Sequence, residues 1–377
     1  MTKSFSDLFD REPAGRWAAP GRVNLIGEHV DYAEGLCLPF AIAERTVVEV
    51  AARTDGRVRL HSAAENDGWE GPLDEIGPGS PAGWAGYAAG VLWALREAGH
   101  AVGGIDLLVS ETVPLGAGLS SSAALECATA LAVNDLGGLG PQGSGLDRRE
   151  LAAACIRAEN DVVGASTGGM DQAASLLATA GHALLLDTRD GSTRQVPFAP
   201  ADDGLRVLVI DTKVRHHLAD GQYGERRASV EKAAATLGLH SLREATLRDL
   251  ERLDGELLRR ARHIVTEIQR VREVVALLDA GRTADIGPLL DASHTSLAKD
   301  FQVSCRELDL ACEIARASGA FGARMVGGGF GGSAIALVPF SRLNDVTDGV
   351  RNAFSANGLR APEIRRADPS EGATRLP

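Results

Sequence analysis

Three glycine-rich segments limit how this chain can fold: Gly21 to Gly35 (GRVNLIGEHVDYAEG), Val113 to Leu125 (VPLGAGLSSSAAL) and Met325 to Leu337 (MVGGGFGGSAIAL). Each breaks an apolar pattern with residues that let the backbone turn tightly or approach another group closely. They are spread over 377 residues, a length beyond what one hydrophobic core ordinarily supports. Two domains are therefore expected, 1–200 and 201–377, joined near FAPADDG (Phe198 to Gly204). GGLGPQGSG (Gly137 to Gly145) reads as a surface loop.

Between these segments the pattern is mixed α and β. Strands are expected over Arg45 to Ala52, Val58 to His61, Ile105 to Ser110, His182 to Leu186 and Leu205 to Ile210. Helices are expected over Trp84 to Ala98, Leu257 to Leu278, Thr283 to Leu297 and Ser304 to Ser318. Short strands, Arg324 to Val326 and Ala334 to Val338, flank the last glycine run. The polar end, DPSEGATRLP, is expected either to fray or to pack back on the first domain.

Charge narrows the partners. Lys and Arg number 39 against 51 Asp and Glu, a formal charge of −12, and aromatics make up 4%. An acidic chain with few stacking residues is a poor match for nucleic acid or an anionic membrane. Any phosphate it binds must be held locally, by backbone N–H groups, a metal ion or a few arginines. The five cysteines (Cys37, Cys127, Cys155, Cys305, Cys312) include no C-x-x-C pair and read as buried free thiols of a reducing compartment. The start of the chain, MTKSFSDLFDREPAG, has no apolar core that could serve as a signal peptide. No apolar run approaches the ~20 residues of a membrane span. A cytoplasmic location is the expectation.

The first glycine segment places Arg22, Asn24, Glu28, His29, Asp31 and Tyr32 within eleven residues. Carboxylates accept hydrogen bonds from hydroxyl donors, and such a cluster suits a polyhydroxylated ligand. Any one of these residues could sit in a solvated turn; the cluster is harder to explain that way. In the second segment, Gly116 and Gly118 let the chain curl, and Ser120, Ser121 and Ser122 open a helix through Ala123 to Val133. Free N–H groups at a helix start, with three hydroxyls, suit a phosphate. The chain contains no Gly-Lys pair, so this is not a Walker A loop.

The third segment matches G-x-G-x-x-G through Gly327, Gly329 and Gly332. A dinucleotide fold would need a helix next, yet SAIALV is apolar and β-like. A glycine-rich hairpin that packs its backbone against a ligand loop fits better. Two further acids are quieter. Glu159 lies in an amphipathic helix (ELAAACIRAEN), where a glutamate is usually just solvated. Asp171, in GASTGGMDQAAS, follows two glycines and could simply cap a helix starting at Gln172.

Together, GRVNLIGEHVDY, VPLGAGLSSSAAL, STGGMDQ and MVGGGFGGSAIAL resemble the motifs of the GHMP kinases, in the same order and over nearly the whole chain. GRVNLIGEHVDY is similar to the signature of the members that phosphorylate galactose. The resemblance implies an α+β fold of two domains with the active site in the cleft between them. The first would hold a mixed sheet and helices, and the second would be α/β-sandwich-like. It implies ATP and Mg²⁺ as cofactors, galactose phosphorylated at its anomeric hydroxyl, and no obligate protein partner. Another sugar 1-kinase, for N-acetylgalactosamine or arabinose, is the nearest alternative. A non-catalytic sensor of sugar and ATP is a more distant one.

By the same resemblance, Asp171 is the catalytic aspartate and Arg22 the arginine that stabilises the transition state. Glu28, His29, Val30, Asp31, Gly168, Gly169 and Tyr223 fall at sugar-binding positions. Gly116, Ala117, Gly118, Leu119, Ser120, Ser121 and Ser122 form the ATP-phosphate loop. Ser122 and Glu159 would ligate the metal, and Trp84 falls where an aromatic often meets the adenine. Two positions depart from the pattern. Gly221 stands where serine is usual, and Gly168–Gly169 replaces part of a cysteine-glycine-apolar run; both leave sugar preference more open than reaction type.

Overall fold

The apolar stretches between the glycine segments fold into strands and helices that pack into shared cores. In the computed structural model of the chain, the residues described are 3–63, 67–111, 113–114, 118–140, 143–165, 167–214 and 219–377. The strands are β1 (Gly15–Asn24), β2 (Leu36–Cys37), β3 (Pro39–Arg53), β4 (Arg57–Ser62), β5 (Asp67–Pro72), β6 (Gly104–Glu111), β7 (His182–Asp187), β8 (Ser192–Pro197), β9 (Leu205–Asp211), β10 (Gly322–Val326), β11 (Ser333–Pro339), β12 (Glu363–Ala367) and β13 (Thr374–Leu376). The helices are α1 (Phe5–Phe9), α2 (Trp84–Glu97), α3 (Ser121–Gly137), α4 (Arg148–Arg157), α5 (Met170–Leu177), α6 (Ala219–Leu237), α7 (Gly255–Asp279), α8 (Gly287–Ser296), α9 (Arg306–Ala317) and α10 (Leu343–Ala356).

The strands form three sheets. Six are ordered β13-β1-β3-β6-β4-β5, four β10-β11-β9-β12 and three β2-β7-β8. All neighbours run antiparallel except β4 and β6. Period-two alternation explains how the large sheet is covered. Val48 and Val50 of β3 belong to the core shared with α2, α3 and α4, whereas Ala51 turns the other way, under Phe5 and Phe9 of α1. On the four-stranded sheet, α8 and α9 pack against β10. A second core runs from Val23 to Ala367 and joins this sheet to the segment around Leu25, Ile26 and Val30.

The expected strands and helices form, with ends moved by a few residues. Thr283 to Leu297 is less regular than its pattern predicts: a 3₁₀ turn, Thr283–Ile286, precedes α8 and a π-helical turn, Leu297–Phe301, follows it. The polar end does not fray. Residues 374–376 pair with β1, the Arg375 guanidinium lies 5.2 Å from the Trp17 ring, and Arg45 donates to the Gly372 carbonyl at 3.1 Å. A rigid partner, not apolar content, orders this segment. Cys37, Cys127, Cys155 and Cys312 are buried free thiols, and Cys305 is half-buried. Among the described residues no helix is long and apolar enough to cross a membrane.

Candidate active site

Strand β1 delivers the first site residue through a bulge. Its register against β3 shifts between Pro20 and Arg22, so the Arg22 N–H leaves the ladder and donates to the Leu119 carbonyl at 3.0 Å. The approach is so close that a β-carbon on Gly21 would lie 2.5 Å from that oxygen. Glycine is therefore required there, and the bulge ties the first glycine segment to the second at Leu119. From this position the Arg22 side chain grips Asp171 with two hydrogen bonds, 2.9 and 3.0 Å, and donates to the Gly118 carbonyl at 2.6 Å.

Asp171 is not a helix cap. Helix α5 begins one residue earlier, with Gly169 at the N-cap, and Asp171 sits in its first turn. Its carboxylate also accepts a hydrogen bond from the Ser120 hydroxyl. Ser120 precedes α3 but makes no side-chain cap; it adopts φ 60°, a left-handed conformation unusual for serine. The cap bond is given up so that the hydroxyl can reach Asp171. Backbone held in such a conformation is characteristic of functional loops, and His29 shares it, also at φ 60°.

The third glycine segment packs against the loop that carries Glu28 and His29. Residues 327–332 link β10 to β11, which pair antiparallel. No helix follows, in keeping with a hairpin and against a dinucleotide fold. The Gly327 N–H donates to Glu28 Oε1 at 2.8 Å, and the fully buried Arg324 brings a guanidinium nitrogen within 3.3 Å of the same oxygen. The His29 Nε2 lies 3.1 Å from the Gly328 carbonyl and Nδ1 lies 3.0 Å from the Tyr32 hydroxyl. A carbonyl can only accept, so Nε2 carries the proton and Nδ1 accepts from tyrosine. Burial, reinforced by nearby His263, pushes His29 down to about 3, and the ring is neutral at pH 7.

Asp31 opens a short 3₁₀ turn. Burial, then the negative charges of Asp171 and Glu28, push its carboxyl up to about 6. Tyr223, on α6, sets its ring 5.3 Å from His29 and 5.7 Å from Tyr32. These groups line one cavity of ≈ 210 Å³, bounded by Arg22, Glu28, His29, Asp31, Glu159, Asp171 and Tyr223, with Thr167, Met170, Gly327 and Gly328 completing the wall.

Glu159 is not on a regular amphipathic face. After α4 the chain widens into a π-helical turn, Ala158–Val163, which directs Glu159 inward. Such turns often mark functional positions. Burial, then the charge of Asp171, pushes Glu159 up to about 7, against hydrogen bonds from Gln172 and Ser122. Ser122 and Glu159 are thus neighbours, a hydroxyl beside a carboxyl. Among the described residues no group of three or more His, Cys, Asp or Glu could hold a metal. One hydroxyl and one carboxylate suit a hard cation that keeps several waters and shares phosphate oxygens.

Some expected site residues stand apart from this cavity. Val30 is buried in the core and its carbonyl accepts from Ala33 and Gly35; its side chain packs among apolar residues. Leu119 contributes its carbonyl to Arg22 and buries its side chain. Gly168 abuts Asp31, and Gly169 packs against Ile156. Trp84 begins α2, half-buried against the core that α2, α3 and α4 share. Gly221 lies on α6 with no atom near its missing side chain. Gly116 and Ala117 lie outside the described residues.

The sequence reading missed the supports on α7. His263 Nε2 meets the Glu28 carbonyl at 3.1 Å, and Glu267 accepts from the Gly27 N–H at 3.1 Å. Their i, i+4 spacing puts both on one buried face among Ile264, Ile268 and Val271. Two ionisable residues on an otherwise apolar stripe were the available signal.

Comparison with known proteins agrees with this geometry. Residues 3–52 match the galactokinase galactose-binding signature, 86–179 the GHMP kinases N terminal domain and 274–356 the GHMP kinases C terminal region. A galactokinase of Streptomyces coelicolor is 54% identical over 99% of this chain and 97% of its own length. One from Mycobacterium bovis is 45% identical over 95% and 98%. The crystal structure of Lactococcus lactis galactokinase complexed with galactose superposes with a TM-score of 0.93 at 31% identity, covering 100% and 98%. The chain belongs to the GHMP kinases and, among them, to the galactokinase family.

Proposed function

We propose that this protein transfers the γ-phosphoryl group of ATP to the anomeric hydroxyl of galactose. The observation that carries the reading is the convergence on one cavity of Asp171, gripped by Arg22, with the sugar-loop acids Glu28 and Asp31. Phosphoryl transfer passes through a loose transition state, so a site needs positioning and positive charge more than a strong base. Asp171 accepts the proton of the attacking hydroxyl, and Arg22 offsets negative charge on the moving group. Glu28, His29, Asp31 and Tyr223 orient the sugar, which alone can remove several kcal/mol of the barrier, on the order of 7 or more.

The start of α3, behind Ser120, receives the nucleotide phosphates through its free N–H groups. Ser122 and Glu159 would hold Mg²⁺, which when bound neutralises the β- and γ-phosphates. The chain divides into domains 1–200 and 201–377. In support, β9 to β12 of the four-stranded sheet all come from the second part, and among the described strands only β13 crosses back to the first. A cytoplasmic location suits an enzyme that consumes ATP.

The test is ATP consumption with galactose, glucose, arabinose, N-acetylgalactosamine and mevalonate. Galactose is expected to give the highest kcat/KM by at least tenfold. A higher value for another sugar would reassign the substrate, and no turnover with any would leave a binding protein.

A further inference from the structure

Glu126 is a buried acid that neither the sugar nor the nucleotide site uses. It lies on α3, one turn beyond Ser122, and is 0% exposed. The side-chain nitrogen of Gln172, also 0% exposed, stands 2.9 Å from Glu126 Oε2 and 2.6 Å from Glu159 Oε2. An amide nitrogen carries two hydrogens, enough to satisfy one oxygen of each acid. The amide nitrogen therefore faces both acids, and the amide oxygen is turned away from them. The remaining oxygens, Glu126 Oε1 and Gln172 Oε1, are buried without hydrogen-bond partners. An arrangement that leaves two buried acceptors unpaired is costly and has to be offset by what it positions.

What it positions follows from the three elements it ties together. Helix α3 carries Ser122 and follows directly on Ser120, the π-helical turn carries Glu159, and α5 carries Asp171 beside Gln172 itself. A single buried side chain therefore links the catalytic acid, the hydroxyl and the carboxylate that face the nucleotide. We propose that Glu126 and Gln172 are positioning residues, a carboxyl–amide–carboxyl bridge that holds Glu159 with one oxygen turned toward the cation. Groups behind a metal ligand commonly contribute 10- to 100-fold in affinity. The inference rests on Glu159 as a metal ligand.

The experiment measures Mn²⁺ affinity by electron paramagnetic resonance, using the full chain with a non-hydrolysable ATP analogue. Galactose affinity by calorimetry and thermal unfolding are followed in parallel. Gln172→Leu and the longer Gln172→Met both remove the bridge, so one remains informative if the other fails to fold. Either is expected to weaken Mn²⁺ at least tenfold while galactose affinity stays within about threefold. Glu126→Leu should follow them. Glu126→Gln, which can still accept from Gln172, should restore Mn²⁺ affinity to within about threefold of the parent. A purely structural role would lower the unfolding temperature and leave Mn²⁺ affinity unchanged, which overturns the bridge. Glu159→Gln separates the two readings. If it weakens Mn²⁺ and the folded Gln172 variants do not, the bridge alone is wrong; if it has no effect, the metal site and the bridge fall together.

Discussion

Arg22 and Asp171, 149 residues apart in the chain, meet through two parallel hydrogen bonds of 2.9 and 3.0 Å in the wall of one cavity. The fork-to-carboxylate geometry fixes the orientation of both groups. Replacing Asp171 by Asn keeps the shape but removes the charge and the proton acceptor. The kcat of Asp171→Asn is expected to fall by about two orders of magnitude or more, with nucleotide affinity nearly unchanged. Steady-state kinetics with nucleotide titration check it, and near-normal turnover would remove Asp171 from its role.

The Asp31 carboxyl, pushed up to about 6 by burial and then by Asp171 and Glu28, makes the unliganded site less stable once it ionises. The folded state holds this proton more tightly than the unfolded chain does. Stability is therefore lost as pH rises from the ordinary value of 3.8 through 6. Asp31→Asn should be more stable than the parent by roughly 2 kcal/mol at pH 8, with no gain near pH 4. Galactose affinity should fall in the same variant. Urea unfolding at the two pH values is the measurement; an equal gain at both would mean that the charge is not the cause.

Gly168 lies against the same carboxylate. A β-carbon there would sit 2.4 Å from Asp31 Oδ2 and 2.8 Å from its Cβ. Gly168→Ala must displace Asp31, which is expected to raise the KM for galactose about tenfold or more while the KM for ATP stays within about threefold. Equal increases in both would point to a wider distortion.

Glu267 braces the sugar loop from behind. Burial alone would raise its carboxyl, but Arg270, His263 and Arg324 outweigh burial and hold it down to about 2. It accepts from Gly27 N–H and from the Ser293 hydroxyl at 2.7 Å, and pairs with Arg270 at 2.7 Å. Glu267→Gln leaves Arg270 without its counter-charge, for a loss of about 3 kcal/mol at pH 7. The native contribution is complete above the ordinary glutamate range and lost as pH falls through 2. The gap between variant and parent should therefore be as large at pH 5 as at pH 7. A gap that halves by pH 5 would contradict this assignment.

Much of the site could be read from residue order. Glu28, His29 and Asp31 fall within four residues, and a loop that concentrates acids between two glycines has few other uses. The glycines around 327 were followed by an apolar strand pattern, which was enough to reject a dinucleotide fold. The supports were harder to see. His263, Glu267 and Arg324 are remote from the sugar loop in sequence, and each looks like an ordinary polar residue until helix α7 and strand β10 are packed against Gly27 and Glu28. Glu126 was hidden for the same reason, since its partner Gln172 lies on another helix.

Local chemistry, meaning which loops can curl, which helix starts with hydroxyls and where the acids cluster, depends on neighbouring residues and was settled by their order. Electrostatic state and orientation depend on burial and on contacts made across more than a hundred residues. Only the packed molecule could decide that Ser120 turns from its helix to Asp171, that a π-helical turn directs Glu159 inward, and that the polar last residues become a strand.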